Sequence, residues 1–349
     1  MIWQKVIASL FTFCLTIATA YGQIGGLRAF EFLETPNHAR VAGLGTVNVS
    51  SNAGDVNMVW QNPALLNSDM NGQISFSLNP YFADIYNSQI TYAQDFEKLG
   101  IFSFGISYFH YGQFEGFDNT GSTSEDFSAS DYAVQISHSR ENGIFRYGTS
   151  LKFVANQISG FNQSAVLVDL GGAFIHPDEE LSFGLVIKNL GFFTSKYVKE
   201  KRNLPFDVQL GGTYKPEFMP FRFSLTLNRL YQYDLSYFDE SLLSDDDNVV
   251  FTDVNNNPPS TFDKIFQHVT IGTEVVLGKS VNLRAGYNHL LRQSLRAEQV
   301  GGAGGFTFGV YFQTKKFNLA YSNAIYQAGG VAHFITLGSN LKEFVKKKS

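Results

Sequence analysis

One short run in this chain has residue types that occur in nucleotide-binding sites. Residues 273–280 have the sequence TEVVLGKS, which ends like a phosphate-binding loop. Such a loop needs a first glycine where this chain has Thr273, and it needs a helix after the Lys-Ser pair, whereas no helical pattern follows here. We therefore predict that Gly278-Lys279-Ser280 is a hairpin turn.

A second run resembles part of a calcium-binding loop. Asp253, Asn255 and Asn257 have the spacing of its first three ligands. However, Pro258 stands where the loop requires a glycine, and Lys264 stands where it requires a bidentate glutamate. The sequence predicts a solvated acidic surface loop, and weak binding of a divalent cation stays open as the alternative.

A third run places a histidine beside two serines, as a hydrolase would need. His138 lies between Ser137 and Ser139, but adjacent residues of a strand point to opposite faces, so the histidine cannot pair with either serine. The chain contains no G-x-S-x-G elbow and no H-E-x-x-H motif. We predict a non-enzymatic protein with no cofactor and no metal site.

Charged residues of both signs recur at positions that alternate with apolar ones. Two interpretations are open, because such charges line an ion or ligand path in some proteins and form ion pairs in others. Charges away from bulk water need partners, which favours ion pairs that hold a plug. The predicted lumenal charges are Arg146, Lys152, Asp169, Lys188, Asp207, Arg222, Glu274 and Arg284.

The elements that position these residues are short amphipathic strands. From about residue 72 onward, segments of roughly ten residues alternate apolar with small or polar side chains, as in Phe102 to Tyr108. Short turns close every second gap and longer gaps separate them, which is typical of outer-membrane barrels. We predict an all-β fold, a transmembrane antiparallel β-barrel of about 14 strands over residues 72–349, ending near Val331 to Leu341. A soluble β-sandwich or β-helix is the alternative.

The composition agrees with a wall that faces lipid. The chain has 34 Phe and 17 Tyr, and only 16% of its residues are charged, against about 25% in ordinary soluble proteins. The net charge of −5 gives no reason to expect nucleic-acid binding. We predict the cell outer membrane as the location, with outer-membrane lipid around the barrel.

The first 22 residues have the pattern of a secretory signal peptide. Lys5 precedes an apolar stretch from Val6 to Ile17, and Ala18-Thr19-Ala20 supplies small residues for cleavage. The only cysteine, Cys14, lies in this stretch. The processed protein is therefore expected to have no thiol and no disulfide.

Residues 23–71 differ from the strands, because they are irregular and rich in Gly, Ala and Asn. A barrel of fourteen strands has a lumen too wide for side chains alone to fill. We predict that this segment is a lumenal plug, with Arg40, Asn62 and Pro63 among its residues, and a loose periplasmic tail is the alternative. Its apolar side chains that need burial are Phe30, Phe32, Val41, Leu44, Val59, Trp60, Leu65 and Leu66.

The run Asn62-Pro63-Ala64-Leu65-Leu66, followed by about fourteen strands, resembles the long-chain fatty acid transporter superfamily, whose members carry an N-terminal hatch with an Asn-Pro-Ala element. With Leu204 to Gly211 and Pro220 to Thr226 added, the chain resembles the PorQ family of PorV-like type IX secretion system outer-membrane proteins. This resemblance implies a role in protein secretion and cell-surface attachment. It also implies an attachment complex with PorU, PorV and PorZ as partners.

The predicted function is docking of partner proteins through the outer loops, near residues 112–128, 192–204, 231–262 and 290–302. Aromatic and basic residues are common at interfaces. The candidate docking residues are Phe192, Phe193, Tyr197, Lys199, Arg202, Tyr231, Tyr237 and Phe238. The alternative is an outer-membrane transporter for a hydrophobic ligand such as fatty acids. Transport predicts an apolar pocket between plug and wall, whereas docking predicts a filled lumen.

Overall fold

The computed structural model describes residues 28–82, 84–118, 120–196, 202–235, 260–278, 280–294, 303–327 and 330–344, and fourteen antiparallel strands in these ranges form a closed barrel. The first seven strands are β1 (Gln73–Pro80), β2 (Tyr86–Phe96), β3 (Gly100–Phe117), β4 (Thr123–Asn142), β5 (Phe145–Ile158), β6 (Phe161–Ile175) and β7 (Glu180–Ser195). The others are β8 (Asp207–Lys215), β9 (Phe221–Leu227), β10 (Val269–Leu277), β11 (Val281–Asn288), β12 (Phe306–Gln313), β13 (Phe317–Gln327) and β14 (Gly330–Asn340).

Each strand pairs with its neighbours in sequence, and the first strand pairs with the last. The closing pair β1–β14 runs from Gln73 opposite Asn340 to Leu78 opposite Ile335. Because every strand pairs with a neighbour on both sides, the wall satisfies most of its own backbone hydrogen bonds in lipid. The prediction of an all-β barrel of about fourteen strands is confirmed, and the soluble sandwich and β-helix are excluded.

The two faces of the wall follow the predicted alternation. In β3, Phe104 and Ile106 are exposed on the outside, whereas Ser103 and Ser107 are buried on the inside. The same alternation of exposed and buried residues occurs in β4 and β5. Lipid covers the outer apolar side chains, and the polar residues line the lumen.

The connections agree with the sequence prediction at one end of the barrel and differ at the other. The six predicted short turns all connect strands, from β2–β3 to β12–β13. The expectation that every outer gap is longer is wrong, because β5 and β6 are joined by Ser159 and Gly160 alone. Both residues have positive φ, 43° and 82°, as a two-residue hairpin turn requires. Residues 112–128 are mainly an outward extension of the β3–β4 hairpin.

Short helices occupy the segment before β1. They are the α-helix α1 (Ala39–Gly43) and 3₁₀ turns at Glu31–Glu34, Val56–Trp60, Pro63–Leu65 and Ser68–Met70. The α1 helix packs on β11 to β14, the turn at Val56–Trp60 packs on β1 and β2, and the turn at Pro63–Leu65 packs on β4 to β6. All eight apolar side chains that the sequence marked as needing burial are buried.

Two further helices lie at the outer ends of strands. They are α2 (Thr261–Phe266), which precedes β10, and α3 (His289–Ser294), which follows β11. Across the described ranges, no helix is both long enough and apolar enough to cross a bilayer. The predicted signal peptide, residues 1–22, lies outside the described residues.

Candidate functional site

Aromatic side chains surround the wall at both of its ends. Near the outer loops, the ring centroids of Tyr86 and Tyr108 are 6.0 Å apart, and those of Tyr108 and Tyr132 are 5.1 Å apart. Near the short turns, Phe145 and Phe174 are 5.8 Å apart. Aromatic girdles of this kind mark the two membrane interfaces of a barrel, on either side of an apolar band. The protein is an outer-membrane β-barrel.

Inside the wall, one buried carboxylate holds three arginines. Glu274 on β10 is 1% exposed and lies 2.8 Å from Nε of Arg284 and 3.3 Å from Nη1 of Arg40. Its second oxygen lies 2.5 Å from Nη1 of Arg222. Three of the predicted lumenal charges, from β9, β10 and β11, thus meet one residue of the N-terminal segment. Because all four groups are charged and largely buried, they depend on such pairs, and Glu274 is the carboxylate that all three arginines share.

The N-terminal segment contributes its own charges to this cluster. Nε of Arg40 lies 3.0 Å from Asp55, a residue that the sequence analysis did not single out. Burial acts to raise the pKa of the Asp55 carboxyl, but the Arg40 charge and hydrogen bonds outweigh burial and lower that pKa to about 2. Burial lowers the pKa of His38 to about 4, so this imidazole is neutral at neutral pH. Asp55 also caps the turn at Val56–Trp60 by accepting from Asn57 N, the one sequence signal that pointed to it.

The predicted plug residues Asn62 and Pro63 lie against the inner face of β5 and β6. Asn62 caps the short turn at Pro63–Leu65, since its Oδ1 accepts from Ala64 N at 3.0 Å, and proline suits the first position of such a turn. The Asn62 Nδ2 group donates to Val49 O at 3.0 Å and to Gly172 O at 3.2 Å. A Cβ at Gly148 or Gly171 would overlap this turn, so the wall is glycine where the turn approaches it.

Hydroxyl and amide side chains of the wall add further bonds to the same segment. The Trp60 Nε1 group donates to Thr91 at 2.9 Å, and Ser139 Oγ donates to Leu66 O at 2.5 Å. Ala39 N donates to Thr336 Oγ1 of β14 at 3.0 Å. The N-terminal segment is therefore bonded to strands on several sides of the barrel.

A second charged cluster lies at the outer end of β7. Lys152 Nζ is 2.5 Å from Asp169 and donates to Asn189 Oδ1 at 3.0 Å. Asn189 has a φ of 58° and forms part of a bulge in β7, so Lys188 and Asn189 together face Asp169. Pairing of β7 with β8 ends at Lys188 opposite Asp207, and both of these predicted lumenal charges are buried.

The remaining predicted lumenal charge lies at the end with the short turns. Arg146 Nε is 2.6 Å from Glu141, and its Nη1 donates to Asn52 of the N-terminal segment at 2.7 Å. Arg146 therefore links the wall to the N-terminal segment near the membrane interface.

The docking residues that the structure describes line an outer groove of about 710 Å³. Phe192, Phe193, Arg202 and Tyr231 all contribute to it, while Tyr197, Lys199, Tyr237 and Phe238 lie outside the described residues. Lys196, Asn203 and Leu204 of the predicted loop 192–204 also line it. Arg28 and Phe206, which lie outside the predicted loops, line it as well. No spacing rule links these positions in the sequence.

Contacts within this groove combine rings with basic groups. Lys196 Nζ lies 4.4 Å from the centroid of the Phe193 ring, and the Arg28 guanidinium lies 5.5 Å from the centroid of Tyr231. Phe192 is 64% exposed. Among the described residues that line the groove, none is acidic. The groove thus presents aromatic rings and positive charge to its surroundings.

Two smaller cavities adjoin the N-terminal segment at different levels of the barrel. One of about 290 Å³ lies near the outer loops between residues 31–36 and strands β7 and β8. Another of about 110 Å³ lies beside Arg40 and Asp55. The two share no lining residue.

The other motifs of the sequence have ordinary structural surroundings where they are described. His138 stacks on Phe102 with centroids 4.4 Å apart, whereas Ser137 and Ser139 are buried on the opposite face. Gly278 and Ser280 lie in the turn between β10 and β11, and Lys279 is outside the described residues. Within the described part of the chain, no group of three or more His, Cys, Asp or Glu side chains is placed to hold a metal ion. The Asp253 to Asn257 run lies outside that part.

Comparisons with known proteins do not assign the chain to a family. No protein-family model matches the chain, and no curated protein matches it significantly. A FadL homologue from Pseudomonas aeruginosa matches in structure with a TM-score of 0.46 and 9% identity, covering 87% of this chain and 98% of the other. The KdgM porin matches with a TM-score of 0.32 and 8% identity, covering 76% and 98%.

BamA from Haemophilus ducreyi lacking POTRA domains 1–3 matches with a TM-score of 0.32 and 11% identity, covering 77% of this chain and 70% of the other. At these identities and TM-scores, none of the matches bears on ligand or partners.

Proposed function

We propose that the protein is a non-enzymatic outer-membrane barrel, closed by an N-terminal plug, that docks partner proteins through its outer surface in type IX secretion and cell-surface attachment. The observation that carries the proposal is the burial of most residues between 28 and 72 against inward-facing strand residues on several sides of the barrel. A barrel that conducts solutes needs a continuous aqueous path, and the buried side chains of this segment support a plug that interrupts one.

The buried ion pairs support a fixed plug. Arg40 belongs to the N-terminal segment, and Glu274 and Arg284 belong to the wall. Withdrawing the segment would leave Glu274 without Arg40 and would leave Arg40 and Asp55 to be solvated elsewhere. Glu274 would keep Arg222 and Arg284, so the Arg40–Glu274 pair favours the plugged state by less than the about 3–5 kcal/mol that a buried charge left with no partner costs.

The outer groove supports docking of a protein. Rings of Phe192, Phe193 and Tyr231 offer large contact areas with few rotatable bonds, and Arg28 and Lys196 add positive charge. Charge complementarity favours a partner surface with apolar and acidic side chains. The type IX assignment, with PorU, PorV and PorZ as candidate partners, is supported by the sequence resemblance.

The proposal is tested in cells that carry out this secretion. Replacing Phe192 and Tyr231 by alanine should reduce surface attachment of secreted cargo and co-purification of partners in gentle detergent. Phe183→Ala is the matched control, because Phe183 lies on the same strand, near the short turns, and is half exposed to lipid. Planar bilayers containing the purified protein should show no steady channel current. Porin-like conductance, or normal attachment in the double variant, would overturn the proposal.

A second candidate function is favoured by one feature of the wall. Strand β7 continues to Ser195, whereas its pairing with β8 ends at Lys188, so Leu190 to Ser195 pair only with β6 among the described strands. A gap of this kind, lined by Leu190 and Phe192, suits passage of a hydrophobic ligand such as a fatty acid. Fatty-acid uptake that is lost when residues 190 and 192 become serine, with attachment unchanged, would select this function instead.

A further inference from the structure

The outer cavity of about 290 Å³ is lined by Lys188, a cation whose buried carboxylate neighbours are engaged with other donors. Lys188 lines this cavity and is 6% exposed. It makes no hydrogen bond or ion pair within the described residues. The side chain is largely buried and lines the cavity, so water or a ligand there has to satisfy its ammonium.

The carboxylates around Lys188 are each bound to another donor. Asp169 is paired with Lys152 at 2.5 Å. Glu34 is paired with Arg28 at 2.7 Å and with Arg229 at 2.6 Å. Asp207 accepts from Gln209 Nε2 at 2.5 Å and from Arg229 N at 2.7 Å. The protein thus supplies three carboxylates to this cluster, and none of them forms an ion pair with Lys188.

An unused acceptor lines the same cavity. Gln209 Oε1 is buried and has no hydrogen-bond partner among the described residues, although the Nε2 group of the same side chain is bound to Asp207. The cavity therefore offers one free cation and one free acceptor. Glu31, which is exposed, adds a second acceptor at the rim.

The size and lining of the cavity restrict what fits. Ligand pockets in proteins begin at about 300 Å³, so this volume suits one small molecule. Amide groups of Gln61, Asn228 and Asn288 line one part of the wall, which suits hydroxyl or ammonium groups. Leu33, Val47 and Leu291 line another part, so the ligand also meets apolar side chains. A metal cation would meet Lys188 and Arg229, and two of the three lining carboxylates, Glu34 and Asp207, are already bound to donors.

We propose that this cavity binds a small organic anion whose carboxylate pairs with Lys188 and whose adjacent hydrogen-bond donor pairs with Gln209. Hexuronic acids and α-amino acids share this chemistry. The site does not depend on the docking role, because it lies inside the barrel mouth and shares only Asn189 with the lining of the outer groove. The Asn189 side chain is already bonded to Lys152 Nζ and Pro205 O, so it serves neither site as a free group.

The test is calorimetric titration of the full-length folded protein in detergent at fixed ionic strength. The probes are glucuronate and serine, with glucose as the uncharged control and acetate as the carboxylate without donors. Glucuronate or serine should bind at least tenfold more tightly than both controls, and whichever of the two binds identifies the source of the anion. Equal binding of all four, or of none, would overturn the proposal.

Variants test the residues themselves. Lys188→Met keeps the length of the side chain without its charge and should weaken the binding at least tenfold. Lys315→Met, in an exposed turn at the other end of the barrel, is the matched control and should bind like the wild type. If Lys188→Met does not reach the folded, heat-modifiable form, Gln209→Leu replaces it with the same expectation. Unchanged affinity in the folded variant refutes the assignment.

Discussion

Replacing Gly171 by alanine tests directly whether the Asn62–Pro63 turn rests on the barrel wall. The new Cβ would overlap Asn62 Oδ1 and would lie 3.0 Å from both Ala64 N and Pro63 Cδ. Two of these three atoms belong to backbone or to a proline ring and cannot rotate away. Overpacking of this kind costs about 1–3 kcal/mol, which makes the unfolding equilibrium about 5- to 150-fold less favourable to the fold.

The neighbouring glycine supplies a matched control. A Cβ at Gly172 would meet no atom within 4 Å, because this residue points outward from the same strand. Alanine is about 0.5–1 kcal/mol better than glycine inside a strand. This gain applies to both variants and cancels in the comparison, so their free energies of unfolding should differ by the overpacking cost alone, about 1–3 kcal/mol.

The assay is urea unfolding of the processed protein in detergent, followed by two probes. Trp60 is the only tryptophan after residues 1–22 are removed, and it is buried in the N-terminal segment, so its fluorescence reports on that segment. Heat-modifiable mobility on gels reports on the barrel. Gly171→Ala should shift the Trp60 transition to lower urea, and Gly172→Ala should not.

A double-mutant cycle identifies the atom responsible. Asn62→Ala alone should cost about 1–3 kcal/mol, since it removes the cap and leaves Val49 O without its donor. In the double variant the overlapping amide is absent. Its loss in free energy of unfolding should therefore be smaller than the sum of the two single-variant losses by about 1 kcal/mol. Equal urea midpoints for Gly171→Ala and Gly172→Ala, or strict additivity in the cycle, would refute the contact.

Three further predictions concern charge and surface. Glu274→Gln should lower the free energy of unfolding, measured in urea, by about 3–5 kcal/mol, because three arginines lose a shared carboxylate. Glu180→Gln, which removes an exposed partner of Arg222, should cost about 0–1 kcal/mol. Equal losses in the two variants would contradict the buried cluster. His38 binds a proton more readily in the unfolded chain than in the folded one. Its contribution to the free energy of unfolding, about 3 kcal/mol, is therefore complete above pH 6.5 and is lost as the pH falls towards 4. A His38→Gln variant whose urea unfolding has the same pH dependence as the wild type would disprove this. Phe192→Ala should lower partner recovery in detergent pull-downs by at least fivefold with barrel stability unchanged, and full recovery would exclude the groove.

Much of the fold follows from patterns that are local in the sequence. The alternation of Phe104 and Ile106 with Ser103 and Ser107 fixes which face of β3 meets lipid, because strand geometry alone puts successive side chains on opposite faces. The number of strands and the short turns follow in the same way. The sequence did not predict the two-residue turn at Ser159–Gly160. A polar stretch between two strands has the same composition whether it forms a long loop or continues the strands as a hairpin that ends in a tight turn.

The candidate sites depend on contacts between distant parts of the chain. The sequence identified Arg40, Glu274 and Arg284 as inward charges, but residues 40 and 274 meet only because closure of the barrel and packing of α1 bring them together. It gave no sign that Lys188 has no counter-ion, since three carboxylates lie near it in the fold and each is bound elsewhere. Side-chain direction is a property of each strand, whereas pairing of charges depends on register, closure and the path of the N-terminal segment, which only the complete tertiary structure decides.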